Sequence, residues 1–182
     1  MTKLESLGRA LRLEPVWTAS YHQEFVPAGM TLGEEAAGVV WVAWPDRAYF
    51  QTGDPPDRLM GLEGRRVRLV DLGTPSCDDH RLSEAEWARI PLAAVLDPGT
   101  AVDRFTIVDR GAAGLTLIPR EPGGVARVDV ELGPDRLPQR VVIVDPQGSK
   151  NTLDFDAWQP ASPPLEEGWL PAPPVGIACL ED

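Results

Sequence analysis

Side chains that do chemistry are scarce in this sequence: two histidines, His22 and His80, and two cysteines, Cys77 and Cys179, stand in 182 residues. There is no G-x-x-x-x-G-K-[ST], no G-x-G-x-x-G, no G-x-S-x-G and no H-E-x-x-H. Phosphate cradles, dinucleotide turns, nucleophile elbows and zinc-protease helices therefore have no support. Cys77-Asp78-Asp79-His80 gathers the donor types of a metal site. Ligands in immediate succession lack the spacing of zinc sites, so the stretch reads as a polar loop before a helix. His22, within TASYHQEF, reads as an exposed or hydrogen-bonded strand histidine, and Asp54 and Asp57 around Pro55-Pro56 read as turn formers. No catalytic residue, metal or other cofactor is expected.

Basic charge is short as well. Lys and Arg number 17 against 28 Asp and Glu, a net charge of -11, with the acids spread along the chain. A nucleic-acid partner would need a basic stripe, and an anionic membrane a polybasic anchor; the sequence offers neither. No apolar run approaches the roughly 20 residues that cross a bilayer. MTKLESLGRALRLEP at the start lacks the apolar core of a secretory leader. Either the chain stays in the cytosol, or a leader has been removed.

What the sequence has in quantity is apolar strand text. With 43% hydrophobic residues, 182 positions suffice for one well-buried core, so residues 1–182 are read as a single domain. Two segments read as helix. Over 2–13, Thr2 and Glu5 fit a capping box, Leu4, Leu7 and Leu11 fall on one stripe, and Pro15 follows. Over 83–98, Ser83 and Glu86 form a second capping box and Leu82 can staple onto Trp87. Pro91 then interrupts, and Asp97-Pro98-Gly99 is read as the stop. Extended segments are expected at 17–25, 38–44, 48–52, 65–72, 103–109, 115–119, 126–132, 140–144 and 150–156, joined by short Gly, Pro and Asp turns. Short connections imply an antiparallel meander. From Ala157 the text turns proline-rich (QPASPPLEEGWLPAPP) and should cross the surface before a last short strand near Ile177.

One strand poses a problem. In GVVWVAWP, Val39, Trp41 and Ala43 point one way and Val40, Val42 and Trp44 the other, and neither set is polar. Either one side faces a cavity, or helices plug the sheet and the C-terminal tail covers the outside. Cys77 and Cys179 are likewise open on spacing alone, as a disulfide or as two separate thiols.

In order along the chain, these pieces resemble the LolA-type outer-membrane lipoprotein carriers. WTASYHQEF is similar to the family's F-x-A-x-F-x-Q strand, GVVWVAWPDRAYFQ to its G-x-L-W-V-x-R-P-x-x-F-x-W hairpin, and LEGRRVRLVD to S-D-G-K-x-L-W-x-Y. ARIPLAAVLDP resembles the lid around T-P-x-x-L-L. LTLIPRE and VDVELGPDRLPQRVVIVDPQGSKNTLDF resemble the L-x-P strand and the D-x-x-G-x-x-T-x-x-x-F hairpin, and PPVGI the closing P-P-x-G-V. The resemblance implies an incomplete, half-open antiparallel β-barrel with a helical lid, and a carrier rather than an enzyme. Its hydrophobic cavity would take the acyl chains of a lipoprotein or related lipid in the periplasm. Cargo would come from an inner-membrane ABC exporter (LolCDE-like) and pass to an outer-membrane receptor (LolB-like), the carrier being a monomer. A sensor of lipidated proteins on the same fold is the alternative.

Carried over by position, Leu7 and Leu11 of the first helix, Val40, Val42, Trp44, Ala48 and Phe50 of the hairpin, and Leu92, Val95 and Leu96 of the lid would face the cavity. Three positions depart from the pattern. Trp44 replaces the arginine that latches the lid, Glu63 replaces an aspartate, and Ala48 replaces a bulky aromatic.

Overall fold

The computed structural model describes residues 1–83, 86–87 and 98–182. Helix α1 (Lys3–Leu11) begins in its capping box: the Thr2 hydroxyl accepts the Glu5 N–H at 3.2 Å, and the Glu5 carboxylate accepts the Thr2 N–H at 2.7 Å. Its stripe Leu4, Leu7 and Leu11 is buried. Ser83 and Glu86 exchange the same pair of bonds, and Leu82 and Trp87 both enter the main core.

Two antiparallel meanders make the body of the molecule. The first comprises β1 (Trp17–Val26), β2 (Glu34–Ala43), β3 (Arg47–Gly53), β4 (Pro56–Glu63), β5 (Arg66–Asp71) and β6 (Ser76–Arg81). The second follows helix α2 (Pro98–Arg104) and comprises β7 (Phe105–Asp109), β8 (Leu115–Pro119), β9 (Arg127–Leu132), β10 (Pro138–Val144) and β11 (Lys150–Phe155). Pairing of β11 with β1 sets the meanders side by side in one sheet, Tyr21 opposite Phe155. Two short pieces complete it: β12 (Gln159–Pro160) against the start of β1, and β13 (Leu180–Glu181) parallel to β6. The ends of the sheet, β7 and β13, do not pair with each other. The result is an incomplete antiparallel barrel.

Four expectations change. Pro55-Pro56 does not simply mark a turn, because β4 begins at Pro56, a strand-end position that tolerates a missing N–H. Cys77–His80 is strand β6 rather than a polar loop. Its Asp79 charge is met from the neighbouring strand, where Arg66 and Arg68 donate at 2.6–2.8 Å. Pro98 opens helix α2, a first helical position that needs no N–H, whereas the segment it was expected to stop lies outside the described residues, and β7 starts only at Phe105. The last strand lies at Leu180–Glu181, beyond Ile177. Pro91, and Leu92, Val95 and Leu96 expected in a lid, lie outside the described residues.

The two dry faces of β2 belong to two different cores. Val40 and Val42 enter the main cluster on the concave side, with Leu4, Leu7 and Leu11 of α1, Ala101 after the start of α2, and Phe105, Leu117, Val128 and Val130 of the second meander. Ala43 and the partly buried Trp41 belong to a second cluster on the convex side, with Val16, Tyr49, Leu59, Ala161, Leu165 and Trp169. The proline-rich tail supplies that cover. Trp169 is buried there, with its N–H donated to Glu63 at 2.6 Å and Arg47 lying 5.7 Å from its ring. The tail backbone runs so close to β4 that a Cβ on Gly61 would sit 2.1 Å from the Trp169 carbonyl oxygen. Arg68 donates to the Pro171 carbonyl at 3.1 Å, and a Cys77–Cys179 disulfide, Cα atoms 4.4 Å apart, pins the end of the strap.

Candidate functional site

Register across the first meander lines up the concave side chains in rows. One row runs Trp17, Val42, Ala48, Leu62 and Val67; the next runs Ala19, Val40, Phe50, Met60 and Leu69. Alternation is the cause, since every second residue of each strand must share this face. Helix α1 covers the first row. Its Leu11 carbonyl accepts the Trp17 indole N–H at 3.3 Å, and at its other end Lys3 pairs with Asp109, which closes β7. Lys3 and the Gly111 N–H together hold the Asp109 carboxyl below its ordinary pKa.

The second row changes character along its length. Val40 is 1% exposed, Phe50 and Met60 are half-buried, and Leu69 is 47% exposed. The apolar row thus passes from a buried start at β2 to a solvent-exposed end at β5. One polar handle stands among these groups. The Tyr21 hydroxyl bonds the Thr52 hydroxyl at 2.5 Å, its ring meets Phe50 edge to face at 5.6 Å, and burial pushes its pKa up. Among the described residues no group of three or more His, Cys, Asp or Glu is placed to hold a metal. Cys77 is oxidised, Asp79 is held below the ordinary carboxylate range chiefly by Arg66, His80 lies 3.5 Å from Glu86, and His22 is exposed near Glu35.

Of the residues singled out in the sequence, Leu7, Leu11, Val40, Val42 and Ala48 are buried in this cluster and Phe50 packs against it. Trp44 does not join them. Strand β2 ends at Ala43, so the alternation that would aim Trp44 inward stops one residue short; the indole is 36% exposed, and the Arg12 guanidinium at the end of α1 stands 5.1 Å from its ring. The position therefore forms a cation–π contact at the helix end in place of an inward apolar one. Missing from the sequence-based set are Tyr21, Leu62, Leu115, Leu117, Val128, Val130 and Val141, all buried in the same cluster. For Leu115, Leu117, Val128 and Val130 the signal was present in the alternation of LTL and VDV.

Comparison with known proteins agrees with this architecture. A crystal structure of a LolA superfamily protein from Nitrosomonas europaea superposes with a TM-score of 0.50 at 9% identity, over 89% of this chain and 93% of that one. The MucA/MucB complex structure of Pseudomonas aeruginosa contains a chain matching with a TM-score of 0.51 at 15% identity, over 90% of this chain and 58% of that one. At such identities the likeness is one of fold. No curated protein matches the sequence. The profile of the family described as outer membrane lipoprotein carrier protein LolA matches residues 16–166, from the residue before β1 into the tail that covers the convex face, and the chain belongs to that family.

Proposed function

We propose that this protein is a periplasmic carrier that shields the acyl chains of lipoproteins, or of related lipids, on its concave face. It would collect them from an inner-membrane exporter and pass them to an outer-membrane receptor. The observation that carries this reading is the row from Val40 to Leu69, an apolar lining that begins buried and ends open. Each methylene moved from water onto such a lining contributes about 0.8 kcal/mol, so affinity scales with chain length without any specific headgroup contact. Family membership supports a carrier or binding role, and the Cys77–Cys179 disulfide supports an oxidising compartment. A sensor role on the same fold is the second reading, favoured by the likeness to a chain of the MucA/MucB complex. Titration with a triacylated lipopeptide and with its unacylated counterpart tests the proposal. Saturable binding that requires the acyl chains, and that is lost in Phe50→Glu, is expected; equal binding of both peptides, or of neither, overturns it.

A further inference from the structure

The hairpin joining β1 to β2 carries an apolar tip that neither core uses. From Phe25 to Gly33 the chain reads FVPAGMTLG, nine residues with no charge in a protein of net charge -11. Met30 is 61% exposed, Leu32 81% and Phe25 40%. The tip is a built turn. Met30 N–H donates to the Pro27 carbonyl at 3.0 Å, Gly29 supplies the left-handed φ of +76°, and Ala28 N–H donates to the Ser149 hydroxyl at 3.2 Å. Gly33 permits the strands to close, since a Cβ there would lie 2.1 Å from the Phe25 carbonyl oxygen. Its place in the fold is specific. Helix α1 covers the end of the barrel where β1 starts at Trp17, whereas the hairpin leaves from the opposite end of that strand. Phe25 shares the parity of Trp17, Ala19 and Tyr21, but Gln23, bonded to Asn151 at 2.8 Å, stands between, so the apolar tip is separate from the apolar rows of the concave face.

We propose that hairpin 27–33 is a bilayer-docking tip, which dips Met30 and Leu32 into the interface of a zwitterionic phospholipid membrane and sets the end of the sheet opposite helix α1 against it. The choice of a lipid partner rests in part on the carrier reading. Size supports it independently: three exposed side chains present a few hundred Å², well short of the roughly 800 Å² per partner of a stable protein interface. Charge selects the lipid. Glu24, Glu34 and Glu35 flank the tip and outnumber the one base beside it, Lys150 opposite Val26, and the chain is acidic overall, so anionic headgroups bring no gain. Shallow insertion of a few side chains is weak and reversible, as a shuttling protein requires.

The test measures partition onto phosphatidylcholine vesicles, and onto the same vesicles with phosphatidylglycerol added, by flotation. Wild type should float with the zwitterionic vesicles and gain nothing from anionic lipid, and Met30→Ser/Leu32→Ser should weaken partition at least about 10-fold. In Leu32→Trp, at a position too exposed to disturb the core, the added indole should be quenched by brominated lipid. The proposal is overturned by wild type that stays in solution at millimolar lipid, by a serine variant that floats like wild type, or by an indole at position 32 that lipid does not quench. Lipopeptide binding in vesicle-free solution should be unchanged in the serine variant. Its absence from wild type and variant alike would sink the carrier reading while leaving a vesicle difference between them to stand.

Discussion

Removing the Cys77–Cys179 bridge by Cys77→Ser/Cys179→Ser should lower stability by the entropy the bridge takes from the unfolded chain. The cysteines are 102 residues apart, and a closed loop of that length corresponds to about 4.7 kcal/mol at 25 °C. With an unfolding entropy of ~2.1 cal/mol/K per residue, 182 residues give about 0.4 kcal/mol/K, so the melting temperature should fall by about 12 °C. The folded state should survive, because Trp169, the Glu63 bond to its N–H and the Arg68 bond to Pro171 hold the strap independently. Urea unfolding followed by far-UV circular dichroism distinguishes the mechanism. The unbridged chain unfolds to a more open ensemble, so its m-value should rise. A melting temperature within about 3 °C of wild type, with an unchanged m-value, would refute the reasoning.

Three further outcomes follow from individual contacts. Asp79→Asn should cost about 2 kcal/mol by chemical denaturation, since it leaves the two guanidinium partners without their anion. Because the folded-state pKa of Asp79 lies below its unfolded value, its contribution is complete above about pH 4 and is lost as pH falls further, so the gap between wild type and Asp79→Asn should close in acid. Gly61→Val should push the strap off β4, seen as a red-shifted Trp169 emission, whereas unchanged emission would contradict the close approach of the two backbones. Trp44→Arg should not create a latch but place a second cation beside Arg12; losing a contact worth about 0.5–1 kcal/mol should speed amide exchange in α1 a few-fold, and slower exchange would contradict it.

How much of this was legible before the structure varied with the range of the interaction. Both capping boxes involve residues three apart, and both formed as read. The parity of β2 was equally local and correctly divided Val40 and Val42 from Trp41 and Ala43. Failures came where distant residues decide. Asp79 reads as loop because nothing nearby in sequence says that Arg66 and Arg68 will neutralise it. LMG in β4 is too short to announce a strand, and Gly61 gains its meaning only from a tail over a hundred residues later. Trp44 was misplaced because alternation predicts facing only while a strand lasts, and the end of β2 is set by the turn at residues 44–46. The pairing of Cys77 with Cys179 needed the strap that brings them together.

The central claim is that acyl chains lie on the concave side alone, and photo-crosslinking from single positions tests it most directly. p-Benzoylphenylalanine in place of Phe50, half-buried on the concave row, is compared in living bacteria with the same group in place of Ile118, 41% exposed on the convex parity of β8. An adduct with acylated protein or lipid from position 50 and none from position 118 is the predicted result. Adducts of equal yield from both positions, or from position 118 alone, would contradict it.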